Sequence, residues 1–179
     1  MTSQNVAELG TWTDEQLRML ELVQQGFHCS EVLLFMGLDS LGKDNPDLIR
    51  SVSALAGGIG FAGEICGALT GGACVMGLYA GRGTPEEDED PKMKMMVQEL
   101  VNWFSQKYGG TYGGIRCRDI TGDDPESVAS RCPRLVTSVH KKVKSLLQEY
   151  QVFQEVAHQP RKPAPGVRRS CPVAAKLGA

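Results

Sequence analysis

The segment ALAGGIGFAGEICGALTGGACVMGLYAG, residues 54–81, limits the possible folds more than any other part of the chain. Glycines at 57, 58, 60, 63, 67, 71, 72, 77 and 81, nine of the chain's 21, surround Cys66, Cys74 and a single acid, Glu64. Without a Cβ, glycine either takes backbone conformations closed to other residues or lets a neighbour approach closely. A membrane span needs about 20 consecutive apolar residues. Small residues four apart (Gly67 and Gly71, Ala68 and Gly72, Ala73 and Gly77) suit packed membrane helices, but the segment is solitary, contains Glu64 and has no aromatic belts. Residues 58–63 spell G-x-G-x-x-G, yet no strand precedes them in a βαβ unit and no Gly-Lys-Ser/Thr follows, which argues against a phosphate loop. What remains is a backbone stripped of side chains so that a helix or an electron-rich ligand can lie against it.

Around this segment the periodicity is helical. Thr13 and Gln16 form a capping box, and Leu17, Met19, Leu20, Leu22 and Val23 continue it as a helix over about 14–25. A second apolar run follows His28-Cys29-Ser30 and ends near Gly42, placing Cys29 at a helix start. Asn45-Pro46 opens a short helix through about Leu55. Residues 57–63 are too glycine-rich for regular structure, and a helix-length run extends from about Glu64 to Tyr79. After the acidic loop TPEEDEDP, Asp90 and Pro91 begin a helix to about Tyr108 that buries Met93, Met96, Val97, Leu100, Trp103 and Phe104. A long Gly- and Asp-rich loop then carries Cys117, and Cys132-Pro133 opens a last helix with an apolar stripe from Leu135 to Phe153. No convincing strand is present. The expected fold is all-α, a single domain of about five helices over residues 1–158, with a basic, Pro-rich flexible tail over 159–179.

The charge pattern narrows the function. From Gln159 onward the chain has Arg161, Lys162, Arg168, Arg169, Lys176 and no acid, leaving 14 basic against 21 acidic residues in the body. No basic face with interleaved aromatics is evident, so the body is not built for nucleic acid. The N-terminus lacks a secretory signal pattern, and the expected location is the cytoplasm, where thiols are normally kept reduced.

Six cysteines in such a compartment suggest metal or redox chemistry more than a disulfide scaffold. Cys29, Cys66, Cys117 and Cys132 each sit at an expected helix start or in a glycine-rich loop. Free backbone N–H groups there favour a thiolate, and Arg116, Arg118, Arg131 and Arg134 push the same way. Cys74 lies eight residues past Cys66, about 12 Å along a helix, beyond the roughly 7 Å that a disulfide allows between Cα atoms, and is expected in the core. Cys171 reads as a free thiol on the tail. There is no C-x-x-C, which removes the usual zinc ribbon, ferredoxin, thioredoxin and haem-attachment patterns. A four-cysteine metal or cluster site, a thiol redox pair and purely structural cysteines all remain open. His28 is expected to cap a helix or face solvent, His140 and His158 to be solvated, and Glu64 to cap a helix or accept a proton from a thiol.

Cys29, the run Cys66-Gly67-Ala68-Leu69-Thr70-Gly71, Cys117 and Cys132, in this order and within HCSEVLL, GGIGFAGEICGALTGG, GGIRCRDITG and CPRLV, resemble the redox-active protein family named for its C…CGAxxG…C…C cysteine pattern. The resemblance covers about residues 15–150. It implies a helical, cytoplasmic, redox-linked protein. A similar domain accompanies haem in the split-Soret type of cytochrome c, where an iron–sulfur centre is present. By that resemblance an iron–sulfur cluster falls on Cys29, Cys66, Cys117 and Cys132, while the missing C-x-x-C-H means that haem is not expected.

The function expected is therefore electron transfer, or cluster-assisted redox chemistry with a partner protein, from cysteines converging near the glycine-rich segment. Thiol–disulfide exchange, with Cys66 as nucleophile and Cys29 or Cys132 resolving, is one alternative. The other is a non-catalytic helical assembly module whose glycine face packs against a second copy as a homodimer.

Overall fold

The computed structural model describes residues 13–152. The segment before Thr13, the tail from Gln159, His158 and Cys171 lie outside the described residues. Within them the protein has seven helices, six of them of seven residues or more, and no strand. These are α1 (Asp14–Gln24), α2 (Cys29–Ser40), α3 (Pro46–Val52), α4 (Gly67–Ala80), α5 (Met93–Phe104), α6 (Cys117–Thr121) and α7 (Pro125–Glu149). A 3-10 turn, Ser53–Leu55, extends α3, while a π turn, Ser105–Gly109, and a further helical turn, Gly110–Tyr112, extend α5. The expected all-α class holds; the helix that was not expected, α6, lies in the loop around Cys117.

Local chemistry accounts for most boundaries. At the start of α1, Gln16 N–H donates to Thr13 Oγ1 at 3.3 Å and Thr13 N–H to Gln16 Oε1 at 3.0 Å, which satisfies two of the amides a helix start leaves unpaired. Asn45 Oδ1 accepts from Leu48 N–H at 3.1 Å, with Pro46 at the first helical position. The last helix departs from expectation. It begins at Pro125, where Asp124 accepts from Ser127 N–H at 2.8 Å, and Cys132-Pro133 lies inside it. An aspartate cap followed by proline is the stronger start signal, and Pro133 is tolerated on an exposed face.

α4 is the central element and packs against α2, α5 and α7. Its small residues make this possible. A Cβ on Gly71 would lie 2.8 Å from Ser30 Cα, and one on Gly72 would lie 2.6 Å from Val139 Cγ1, so α2 and α7 approach at distances only glycine permits. The small face of α4 is thus filled by the chain's own helices. α7 contributes Leu135, Val136, Val139, Val143, Leu146 and Leu147 to the core, and α5 contributes Met96, Leu100 and Phe104. No helix among the described residues is long and apolar enough to cross a membrane.

The residues between α3 and α4 adopt an uncommon conformation. Gly57, Gly58, Ile59, Gly60 and Phe61 all have φ between 60° and 76°, a left-handed turn of five consecutive residues. Ile59 N–H donates to Leu55 O at 3.2 Å, Gly60 N–H to Ala54 O at 2.7 Å and Phe61 N–H to Ala56 O at 3.0 Å. Left-handed backbone costs an L-residue roughly 1–2 kcal/mol, so holding Ile59 and Phe61 there requires support from the surrounding structure. Both side chains face outward, 51% and 67% exposed.

Candidate functional site: a corner of four cysteines

The left-handed turn, α6 and the heads of α2 and α4 meet at one corner, each for a traceable reason. Ile65 and Arg116 form an isolated antiparallel bridge. Around it Cys66 N–H donates to Ile115 O at 3.2 Å and Cys117 N–H to Glu64 O at 2.6 Å, which binds the residues before α4 to those before α6. Gly58 fits between them: a Cβ there would lie 2.5 Å from the Glu64 backbone and 2.8 Å from Cys117 Cβ. A Cβ on Gly67 would lie 2.5 Å from Cys29 Sγ, so the first sulfur rests directly on the residue after Cys66.

Arg118 clamps the turn. Its Nε donates to Gly63 O at 3.3 Å, its Nη2 to Ala62 O, and Nη2 lies 3.4 Å from Glu64 Oε1. Arg116 approaches the other oxygen of Glu64 at 3.6 Å. Glu64 is therefore held by two guanidiniums and neither caps α4 nor stands as a free base. Arg116 and Arg118, expected to activate Cys117, are spent on the carboxylate and on the carbonyls of the turn. Thr121 hydroxyl donates to Cys117 O at 2.8 Å, and Arg131 Nη1 donates to Ile120 O at 2.5 Å, which ties α6 to the part of α7 that carries Cys132.

Cys29, Cys66, Cys117 and Cys132 are brought to this one corner. A charge on Cys29 or on Cys117 is felt at both Cys66 and Cys132, and one on Cys117 is felt at Cys29. Cys29 is the first residue of α2, Cys117 the first of α6, and Cys66 the N-cap of α4. Cys132, expected at a helix start, instead lies in the interior of α7. No disulfide links the cysteines among the described residues. Nor is any group of three or more Cys, His, Asp or Glu side chains there placed to hold a metal ion. Cys74 is half-buried against the core, apart from this set, and burial raises its thiol pKa.

The expected thiolate activation is not observed. Burial outweighs the helix-terminal amides at Cys66 and pushes it up to about 12, while burial and the neighbouring Cys29 and Cys117 push Cys132, inside α7, up to about 11. Cys29 and Cys117 are also raised, again chiefly by burial. The amides oppose the shift: Gly57 and Ser30 N–H act on Cys29, and Ala68 and Leu69 N–H on Cys66, although none makes a full capping hydrogen bond to the Cys66 sulfur. Removing a thiolate from water costs more than these partial charges return.

The histidines also differ from expectation or refine it. His28 caps α2 as foreseen, its N–H donating to Glu31 Oε2 at 2.9 Å while its ring meets the Phe61 edge at 5.1 Å. His140, expected to be solvated, is 5% exposed, with Nε2 3.4 Å from Glu15 Oε2 but out of line for a hydrogen bond. Its burial comes from α1 packing on α7, which the stripe on α7 alone did not reveal. Two partners of the corner were missed from sequence: the Gly57 amide at Cys29 and the Arg118 clamp. The only sequence signal for either was the density of glycine opposite an Arg-Cys-Arg run.

The family described as "Putative redox-active protein (C_GCAxxG_C_C)" matches residues 27–146, a span that includes all four corner cysteines. The central motif reads Cys66-Gly67-Ala68 here, with its first two letters in the opposite order to that description. No curated protein and no solved structure matches the chain.

Proposed function

The chain belongs to this redox-active family, and from that premise we propose that Cys29, Cys66, Cys117 and Cys132 act as one redox centre that holds an iron–sulfur cluster and passes electrons to a partner protein. The observation that carries the proposal is the convergence of four thiols, drawn from α2, the head of α4, α6 and α7, in which charge on one is felt at others.

The residues present suit such a group. Thiolates are the usual protein ligands of iron–sulfur clusters. Among the described residues no three of these side chains stand ready round a metal ion, and what supports a cluster is the donor type, four thiols drawn from four segments of one corner. Glycine at 58 and 67 leaves room where any side chain would strike Cys117 or Cys29. The amides of Gly57, Ala68 and Leu69 lie where they favour negative charge on sulfur, and such hydrogen bonds raise a cluster's reduction potential. When bound, the cluster supplies reversible one-electron chemistry. The protein's own part is to hold the four sulfurs, direct amides at two of them and keep water from the more buried Cys66.

Purification without oxygen, followed by iron and sulfide analysis and an ultraviolet–visible spectrum, tests the proposal. Brown protein is expected, with bound iron and sulfide and a broad visible absorption. Replacing any one of the four cysteines by serine should lower the iron content, whereas Cys74→Ser should leave it unchanged. A colourless, iron-free preparation overturns the proposal, and reversible pairing of its thiols under oxidant would assign the corner to thiol–disulfide exchange.

A further inference from the structure

A cleft of about 410 Å³ is lined by Tyr108, Tyr112, Ser130, Arg131, Arg134 and Leu135, Arg131 being the residue before Cys132. Its volume falls in the lower part of the range typical of small-molecule sites, roughly 300–1,000 Å³. One wall is aromatic. The π turn after α5 leads into one more helical turn, which places Tyr108 and Tyr112 with rings nearly parallel, 17° apart and 6.2 Å between centroids. π turns of this kind frequently mark functional sites.

The cationic part of the lining lies against this aromatic wall and is partly preorganised. The Arg131 guanidinium sits 5.3 Å from the Tyr112 ring centroid while it donates to Ile120 O, so its position is set before any ligand arrives. Arg134, one helical turn from Ser130, is exposed. Neither arginine is ion-paired with a carboxylate among the described residues. Asp124, whose charge Arg131 stabilises, is committed to capping α7 through the Ser127 amide. The Ser130 hydroxyl donates to Glu126 O at 2.9 Å, so the donors left for a ligand beside the two tyrosine rings are those of Arg134 and the ones Arg131 does not give to Ile120 O. Arginine forks bind phosphate through paired hydrogen bonds, and tyrosine faces stack on planar rings. A monocarboxylate would neutralise one of the two cations, whereas a phosphate monoester dianion matches both.

We propose that this cleft binds a small molecule made of a planar ring and a phosphate monoester, the phosphate between Arg131 and Arg134 and the ring against Tyr108 and Tyr112. The site is distinct from the cysteine corner and does not depend on what the cysteines hold.

Isothermal titration of the full chain with adenosine 5′-monophosphate, adenosine and inorganic phosphate as probes tests it. The monophosphate is expected to bind with one-to-one stoichiometry and at least about tenfold more tightly than either fragment, since each supplies only half of the contacts. Arg134→Gln, on an exposed side chain, should weaken the monophosphate and inorganic phosphate by about tenfold or more with an unchanged circular dichroism spectrum. Tyr112→Leu should weaken the monophosphate and adenosine while sparing inorganic phosphate. The proposal is overturned by no heat from the monophosphate at millimolar concentration, by equal affinity for monophosphate and inorganic phosphate, or by affinity that Arg134→Gln leaves intact.

Discussion

The two halves of the glycine-rich segment both depend on glycine and use it for opposite physical reasons. In residues 57–61 the backbone is left-handed, and the non-glycine members, Ile59 and Phe61, are strained. In α4 the backbone is ordinary helix, and glycine serves to bring neighbours close, with Ser30, Val139 and the Cys29 sulfur all inside the distance a Cβ would need. Glycine in a helix interior is a cost, about 1 kcal/mol relative to alanine, and it is kept where packing returns more. In the turn, glycine is required by φ itself. Identical residues a few positions apart are therefore sensitive to different substitutions, one half to any side chain that forbids left-handed backbone and the other to any that occupies space.

The largest test of that contrast is Gly71→Ala. Its new methyl would meet the Ser30 backbone at 2.8 Å, where neither helix can yield without separating α2 from α4. A loss of about 2–3 kcal/mol in urea unfolding is expected, and a loss below 1 kcal/mol would show that the helices slide easily. Second in size is Ile59→Gly. Because Ile59 is held at φ 62°, removing its side chain should stabilise the protein by about 1 kcal/mol. Destabilisation would mean that the exposed Ile59 side chain makes a contact worth more than its strain.

A matched pair then separates the halves by sign alone. Gly60 and Gly77 both have room for a methyl, with nothing within 4 Å of the first and Met93 Cε 3.8 Å from the second. Gly60→Ala, at φ 60°, should destabilise by about 1 kcal/mol, while Gly77→Ala, in a helix, should stabilise by about 0.5–1 kcal/mol. The same sign for both would remove the distinction.

The smallest expected effect is a pH dependence that neither half controls. Burial holds His140 below the ordinary histidine value of 6.5, and this outweighs the attraction of Glu15. Lys144, more than His140, holds the Glu15 carboxyl below 4.5. Below about pH 6.5 the unfolded chain takes up a proton that folded His140 resists, so stability is complete above that value and declines as pH falls toward the folded pKa. A second decline, from Glu15, begins below its unfolded value of 4.5. Unfolding midpoints measured across this range should run parallel in wild type, Ile59→Gly and Gly60→Ala, because α1 and α7 carry the groups responsible.

Much of the secondary structure could be read from short stretches. The Thr13–Gln16 capping box, the Asn45-Pro46 start and the stripes of α5 and α7 are local signals, carried by hydrogen bonds three or four residues apart. The start of α7 is an equally local signal, the Asp124 cap with Pro125 after it, and not Cys132-Pro133, which lies inside the helix. The order and context of four cysteines sufficed to indicate the redox-active family. Other properties arise only when distant segments meet: the closeness of Cys29 Sγ to Gly67, the clamp of Arg118 on the glycine turn, the burial of His140 by α1 and the Tyr–Arg cleft between α5 and α7. The thiols show the division most clearly. Helix-terminal amides, predictable from local pattern, favour the thiolate, but burial, which the whole fold decides, outweighs them. Capping and periodicity act over one turn of chain, whereas desolvation depends on every atom that excludes water, and those atoms come from helices far apart in the sequence.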